Sequence, residues 1–186
     1  MKLFKALLPL VAIVALLASC AAKLPQADVD AATNAFSEAQ AAQAEVLAAD
    51  SYKVAFDANA ALQANLSAKE YGKTKALAKT LLDASVKAKT DAAAGLEAVK
   101  TAVAQLGTDI AAEIATVQKA YAKAAAAGKK AKIDLKPIKA GLAAAAQSLD
   151  AAQALTDSVA AKTQLEALKA TLDGYKASLE AAGFQG

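Results

Sequence analysis

Few side chains in this chain could do acid–base or covalent chemistry. It has no His, no Arg and no Trp, and a single Cys, Cys20. The usual proton shuttle, the commonest metal ligand and the planar fork that grips phosphates are therefore missing. Carboxylates remain. Glu45 with Asp50, or Asp83 with Asp91, could be imagined as an acid and its base, yet each sits among Lys on a polar helix face with no sign of the burial that shifts a pKa. A metal would have to take oxygen ligands, and the chain has no Asp-x-Asp-x-Asp-Gly loop; Asp28 and Asp30 alone are too few. No metal, dissociable cofactor or catalytic residue is expected, so the chain reads as non-enzymatic. One local bias of charge stands out: Lys119, Lys123, Lys129, Lys130, Lys132, Lys136 and Lys139 fall within 21 residues, with Asp134 as the single acid. These lysines are candidates for contact with an anionic surface such as lipid headgroups, lipopolysaccharide or a wall polymer, at about 1 kcal/mol per Lys near an anionic membrane. Nucleic acid is not expected as a partner, because there is no Arg and Tyr121 is the lone aromatic residue among these lysines.

Cys20 takes its meaning from what precedes it. Met1-Lys2-Leu3-Phe4-Lys5 is short and positive, and Ala6 to Ala18 is apolar with Pro9 inside it, the layout of a secretory signal. A membrane span needs about 20 apolar residues, whereas the run from Leu3 to Ala18 is shorter and Pro9 would disturb a helix through it. The segment closes with Leu17-Ala18-Ser19-Cys20, an aliphatic residue, two small ones and the Cys, which resembles the lipobox of bacterial lipoproteins. The resemblance implies that residues 1–19 are a signal peptide removed before Cys20, that a diacylglycerol is joined to the Cys20 sulfur, and that the new amino terminus is N-acylated. Two or three acyl chains, at about 0.8 kcal/mol per buried CH₂, hold a domain on a bilayer. It further implies that Ala21, standing where inner-membrane proteins carry Asp, directs the protein to the periplasmic face of the outer membrane. Removing residues 1–19 leaves 19 Lys against 18 acidic residues, a nearly neutral mature chain.

The elements that must position these groups are helices. Of 186 residues, 57 are Ala, the best helix former, and no stretch alternates apolar and polar residues as a strand does. After a tether of residues 20–26, a first helix carries Val29, Ala32, Phe36, Ala39 and Val46 at helical spacing and weakens at Ala49-Asp50-Ser51, where Asp50 or Ser51 can cap the next. The second carries Tyr52, Ala55, Phe56, Asn59, Leu62 and Leu66. A long third, started by Ser67, runs through Leu77, Leu81, Ala84, Ala88, Ala92, Leu96, Val99, Val103 and Leu106 to a stop at Gly107. Thr108 or Asp109 caps a fourth with Ile110, Ile114, Val117 and Tyr121, ended by Gly128. Lys129 to Lys136 is the clearest linker, and Pro137 opens a helix with Ile138, Leu142, Ala145, Leu149 and Ala152. Thr156-Asp157-Ser158 marks a turn or a stutter, and the last segment carries Leu165, Leu168, Leu172, Tyr175 and Leu179 up to Gly183. The expected fold is all-α: one helical domain over residues 27–183, a slim antiparallel, coiled-coil-like bundle whose Ala seams let backbones approach closely.

The stretch from Ala27 to about Ala92, with paired Ala-rich helices, Lys69-Glu70-Tyr71 and Lys75-Ala76-Leu77-Ala78, resembles a family of uncharacterised alanine-rich helical lipoproteins of bacterial envelopes. The murein-type lipoproteins share a lipidated Cys and a helical chain, but they end in a Lys bonded to peptidoglycan. This chain ends Phe184-Gln185-Gly186, so any contact with peptidoglycan is expected to be non-covalent. The function expected is that of a lipid-anchored scaffold or spacer, with a protein partner or a second copy meeting its helix seams. The alternative is a carrier of an apolar ligand or lipid between amphipathic helices, with Phe36, Phe56, Leu62, Leu66, Leu81 and Leu82 as the residues to line the pocket.

Overall fold

The structure is a computed structural model in which residues 23–186 are described; residues 1–19, expected to be a signal peptide, and the lipidation candidate Cys20 lie outside them. The chain is all-α, as its single periodicity requires. In order come α1 (Gln26–Ala41), α2 (Ala44–Leu47), α3 (Ala49–Ser67), α4 (Tyr71–Ala127), a 3-10 turn (Gly128–Ala131), α5 (Lys136–Gln153) and α6 (Ser158–Ala181). Among the described residues there is no strand. Within the 27–183 span, the chain gathers into two compact units, the first up to Gly95 and the second Leu96–Gly186, and α4 contributes residues to both.

The first unit closes on small side chains. Ala32, Phe36, Ala39 and Ala44 from α1 and α2, Ala55 and Leu62 from α3, and Ala78, Leu81, Ala88 and Ala92 from α4 form its core. Only Phe36, Leu62 and Leu81 among these are large. Ala buries little area, so each contributes well below the roughly 1.5 to 3 kcal/mol of a buried Leu. What small residues allow is approach. At Gly95 a Cβ atom would run into the Leu47 carbonyl oxygen, so α4 can pass the end of α2 there only without a side chain.

The second unit is filled by larger residues: Ile110, Ile114 and Val117 from α4, Ile138, Leu142 and Leu149 from α5, and Leu165, Leu172 and Leu179 from α6. α5 and α6 are antiparallel, and Tyr175 lies across Gly141, where a Cβ would meet the ring. Asp157 caps α6 by accepting the Val159 and Ala160 N–H groups at 2.9 and 3.1 Å, so the Thr156-Asp157-Ser158 signal is a turn. The far end of α6 stops at Gly183, whose φ of +88° is the left-handed conformation that suits a residue without Cβ. There Gly183 N–H donates to the Glu180 carbonyl and Phe184 N–H to that of Leu179, both at 2.9 Å, and Phe184 folds onto the core.

Three expected boundaries are corrected. The first helix does not run on to Ala49. It ends at Ala41, Gln43 turns the chain in the left-handed region (φ +56°), and a single helical turn intervenes before α3. Neither Asp50 nor Ser51 caps α3: the N-cap position is Ala48, and the Ser51 hydroxyl donates to the Ala48 carbonyl at 3.2 Å. Ser67 ends a helix instead of starting one. Lys69 takes φ +58°, its N–H donates to Leu66 O at 3.1 Å and the Glu70 N–H to Asn65 O at 3.2 Å, the paired bonds of a Schellman stop built without Gly. The third correction is at Gly107, where α4 continues unbroken. Thr108 donates to the Ala104 carbonyl (3.1 Å) and Asp109 accepts from Gln105 (2.8 Å), so the residues expected to cap a new helix bond back along the old one. The side of Gly107 that a Cβ would take is filled by the Gln153 amide.

Candidate functional site

The seven lysines gather along the connection from α4 to α5. Lys119 and Lys123 lie on the last turns of α4, which Gly128 ends at φ +55°. Lys129 and Lys130 ride on the 3-10 turn, held down by the buried Ala131, and Lys132 follows in the left-handed region. Asp134 then accepts the Lys136 N–H at 3.0 Å, opening α5, whose first turns carry Lys136 and Lys139. All seven side chains are exposed. Their surroundings differ from those of most lysines elsewhere among the described residues, Lys23, Lys69, Lys75 and Lys176 excepted. Lys53, Lys73, Lys79, Lys87, Lys89, Lys100, Lys162 and Lys169 each face a carboxylate within 4 Å, whereas none of the seven does. Among the described residues, the one hydrogen bond that a side chain of these seven makes, from Lys123 to the Gln185 carbonyl at 2.8 Å, leaves its charge uncompensated.

In the first unit the side chains of interest are apolar and outside. Val46, Val54 and Phe56 are 64%, 60% and 54% exposed, along the stretch from α2 into α3. Phe56 is the outer end of an aromatic ladder. The Tyr52 ring stacks on the buried Phe36 at 5.8 Å between centroids, and Phe56 tilts against Tyr52 at 6.4 Å. The Gln40 amide donates to the Tyr52 hydroxyl at 3.2 Å. Val54 also borders an open groove of about 540 Å³ with Leu47, Ala48, Ser51, Lys87 and Asp91. Helical spacing had placed Val46 and Phe56 on the buried seam; the break at Gln43 and the tight fit of Ala55 turn them outward. Val54 was not singled out, and its signal is a β-branched residue standing off the seam beside Ala55.

The carboxylates considered for catalysis are dispersed. Glu45 and Asp50 are exposed, and Asp83 is paired with Lys79 at 2.7 Å. The Lys87 ammonium, 2.7 Å away, and the Ser51 hydroxyl hold Asp91 below the ordinary carboxylate range, which suits an ion pair more than a proton donor. Lys169 similarly bridges Asp173 (2.9 Å) and the largely covered Glu113 (3.5 Å), tying α6 to α4; Asp173 is lowered by Lys169 first, and Lys169 is raised mainly by Asp173. No three His, Cys, Asp or Glu side chains converge as a metal site would need among the described residues, and no helix among them is long and apolar enough to cross a membrane. Of the residues expected to line an apolar pocket, Phe36, Leu62 and Leu81 are buried in the first core, Leu66 and Leu82 lie half-buried against it, and Phe56 points out. Set against protein-family models, curated proteins and solved structures, the chain matches none.

Proposed function

We propose that the chain is a lipid-anchored, non-enzymatic interaction module of a bacterial envelope, tethered through Cys20 to the periplasmic face of the outer membrane. Leu17-Ala18-Ser19-Cys20 supports the tether. The observation that carries the interaction reading is the exposure of Val46, Val54 and Phe56 on the first unit. Val54 and Phe56 stand about 200° apart around α3, so a partner helix covers one side or the other, and completing the burial of such a side chain recovers part of the roughly 1.5 to 3 kcal/mol that full burial is worth. The partner is another helical protein or a second copy, and the module serves as a scaffold or spacer.

The test is made in intact cells, with a photoreactive residue at position 54 or 56 and mass spectrometry of the adducts. A reproducible protein neighbour, or a second copy, supports the reading, while adducts on phospholipid alone overturn it in favour of a lipid carrier. Cys20→Ser is expected to move the protein from the membrane pellet to the soluble fraction and to remove the added mass of the acyl groups. An unchanged mass and distribution would sink the anchor.

A further inference from the structure

The mature chain is almost neutral, yet its second unit is strongly polarised. Seven lysines and one acid occupy residues 119–139, whereas the rest of that unit carries Lys100, Lys162, Lys169 and Lys176 against eight acids. Four of those eight acids gather at one end. Glu97, Asp109, Asp150 and Asp157 lie toward the end where α5 turns into α6, and the lysines occupy the opposite end, where α4 turns into α5. At that basic end Asp134 is engaged with the Lys136 N–H, and the one other acid there, Glu180 on the last turn of α6, has Lys176 four residues before it.

We propose that the α4–α5 end of the second unit adsorbs to a bilayer surface of anionic phospholipid, standing that bundle on its basic end with its acidic end directed away. Three observations select this partner. The charges are all Lys, point charges on flexible stems spread over a helix end, a turn and a helix start; that suits a diffuse field of phosphates better than one fixed ligand. Around them the fold provides no stacking platform, since Tyr121 is half-buried against the core, which argues against a nucleic acid or other ring-bearing polyanion. Ile133 and Leu135, the large apolar residues between the lysines, are likewise turned onto the core, so no side chain is presented for insertion. The contact is therefore electrostatic, lies on the surface and is released by salt. It rests on the second unit alone and holds whether or not Cys20 carries lipid.

The experiment uses the chain from residue 20 onward with Cys20→Ser, so that neither the apolar signal segment nor an acyl group can bind membrane. Co-sedimentation is measured with vesicles of phosphatidylglycerol mixed with phosphatidylcholine, and with phosphatidylcholine alone. Binding to the anionic vesicles only, released by raised salt, is expected. The triple change Lys129→Gln, Lys130→Gln and Lys132→Gln should weaken it by tenfold or more, on the order of a hundredfold for three lysines. A matched triple, Lys53→Gln, Lys79→Gln and Lys87→Gln, removes the same charge elsewhere and should leave binding nearly intact. Should the first triple disturb the helices, Lys→Arg at the same three positions, which keeps the charge, must bind as the parent does. No binding of the parent to anionic vesicles, equal loss in both triples, or full binding by the first would each overturn the proposal. So would tighter binding to soluble polyphosphate that abolishes vesicle binding, which would make the partner a soluble polyanion.

Discussion

Buried polar groups show how finely single residues are matched in this Ala-rich chain. Asn65 and Thr74 are both buried and partner each other: the Thr74 hydroxyl donates to Asn65 Oδ1 at 2.6 Å, and Asn65 Nδ2 donates to the Glu70 carbonyl at 3.1 Å. Ser85, equally buried, is the one such side chain among the described residues whose oxygen finds no partner. Removing a hydroxyl that makes no bond costs nothing and relieves desolvation, while breaking a satisfied buried network strands the groups left behind. Ser85→Ala should therefore hold or raise stability, by up to about 1 kcal/mol, and Asn65→Ala should lower it by about 1 to 3 kcal/mol; both are read from urea unfolding. A large loss in Ser85→Ala would mean that the hydroxyl has a partner in solution. Little of this was legible in the sequence. Spacing selected Asn59 and Leu66 for the second seam and passed over Asn65, because periodicity ranks residues by apolarity, whereas Asn65 is inside by virtue of two hydrogen bonds.

Helices were read with more success than their ends, and the reason lies in how the ends are made. Seams such as Ile138–Leu142–Leu149 and Leu165–Leu172–Leu179 are buried as their spacing predicts. Stops at Gly128 and Gly183 are where a residue without Cβ belongs. The stops at Gln43 and Lys69 carry no such mark, since a long polar side chain there bears the strain of positive φ. Gly107 misleads in the opposite sense, being small to admit Gln153 and not to end a helix. The glycines can be told apart by experiment. Gly174 on α6 has open space around it, so Gly174→Ala should gain about 0.5 to 1 kcal/mol of helix propensity. Gly95→Ala would gain as much locally but must push α4 away from the Leu47 carbonyl, a fixed backbone atom, for a net loss of about 1 to 3 kcal/mol. Thermal unfolding of the two variants should move in opposite directions; a stabilised Gly95→Ala would show that the close approach at Leu47 is not kept in solution.

For the molecule as a whole, composition foretold an all-α chain, while the difference between its two cores had to be seen. One core rests on seven alanines with Phe36, Leu62 and Leu81; the other holds nine large aliphatic residues from three helices. Local opening follows the apolar contact available to resist it. Backbone amides of α1 and α3 should exchange with solvent faster than those of α5 and α6, by roughly tenfold or more for each 1.4 kcal/mol of difference. Native-state hydrogen exchange with peptide-level mass spectrometry would check it, and equal protection would show that helix propensity, and not core size, sets stability here. The lysine cluster was visible in the sequence as a run of one charge. That eight lysines elsewhere pair with carboxylates while these seven do not could not be seen, because the ion pairs of Lys89 and Lys169 with Glu38 and Glu113 join residues more than fifty positions apart.

The aromatic ladder also makes the protein a source of its own optical signal. The chain lacks Trp, and its four Tyr divide evenly, Tyr52 and Tyr71 before Gly95 and Tyr121 and Tyr175 after it. Among the described residues Tyr52 alone is held against two other rings, a fixed chiral environment in which near-ultraviolet circular dichroism is strong. Comparing the parent with Tyr52→Phe would isolate that band, so that anything settling on α3 could be followed by light, without a dye, a tag or an introduced reporter.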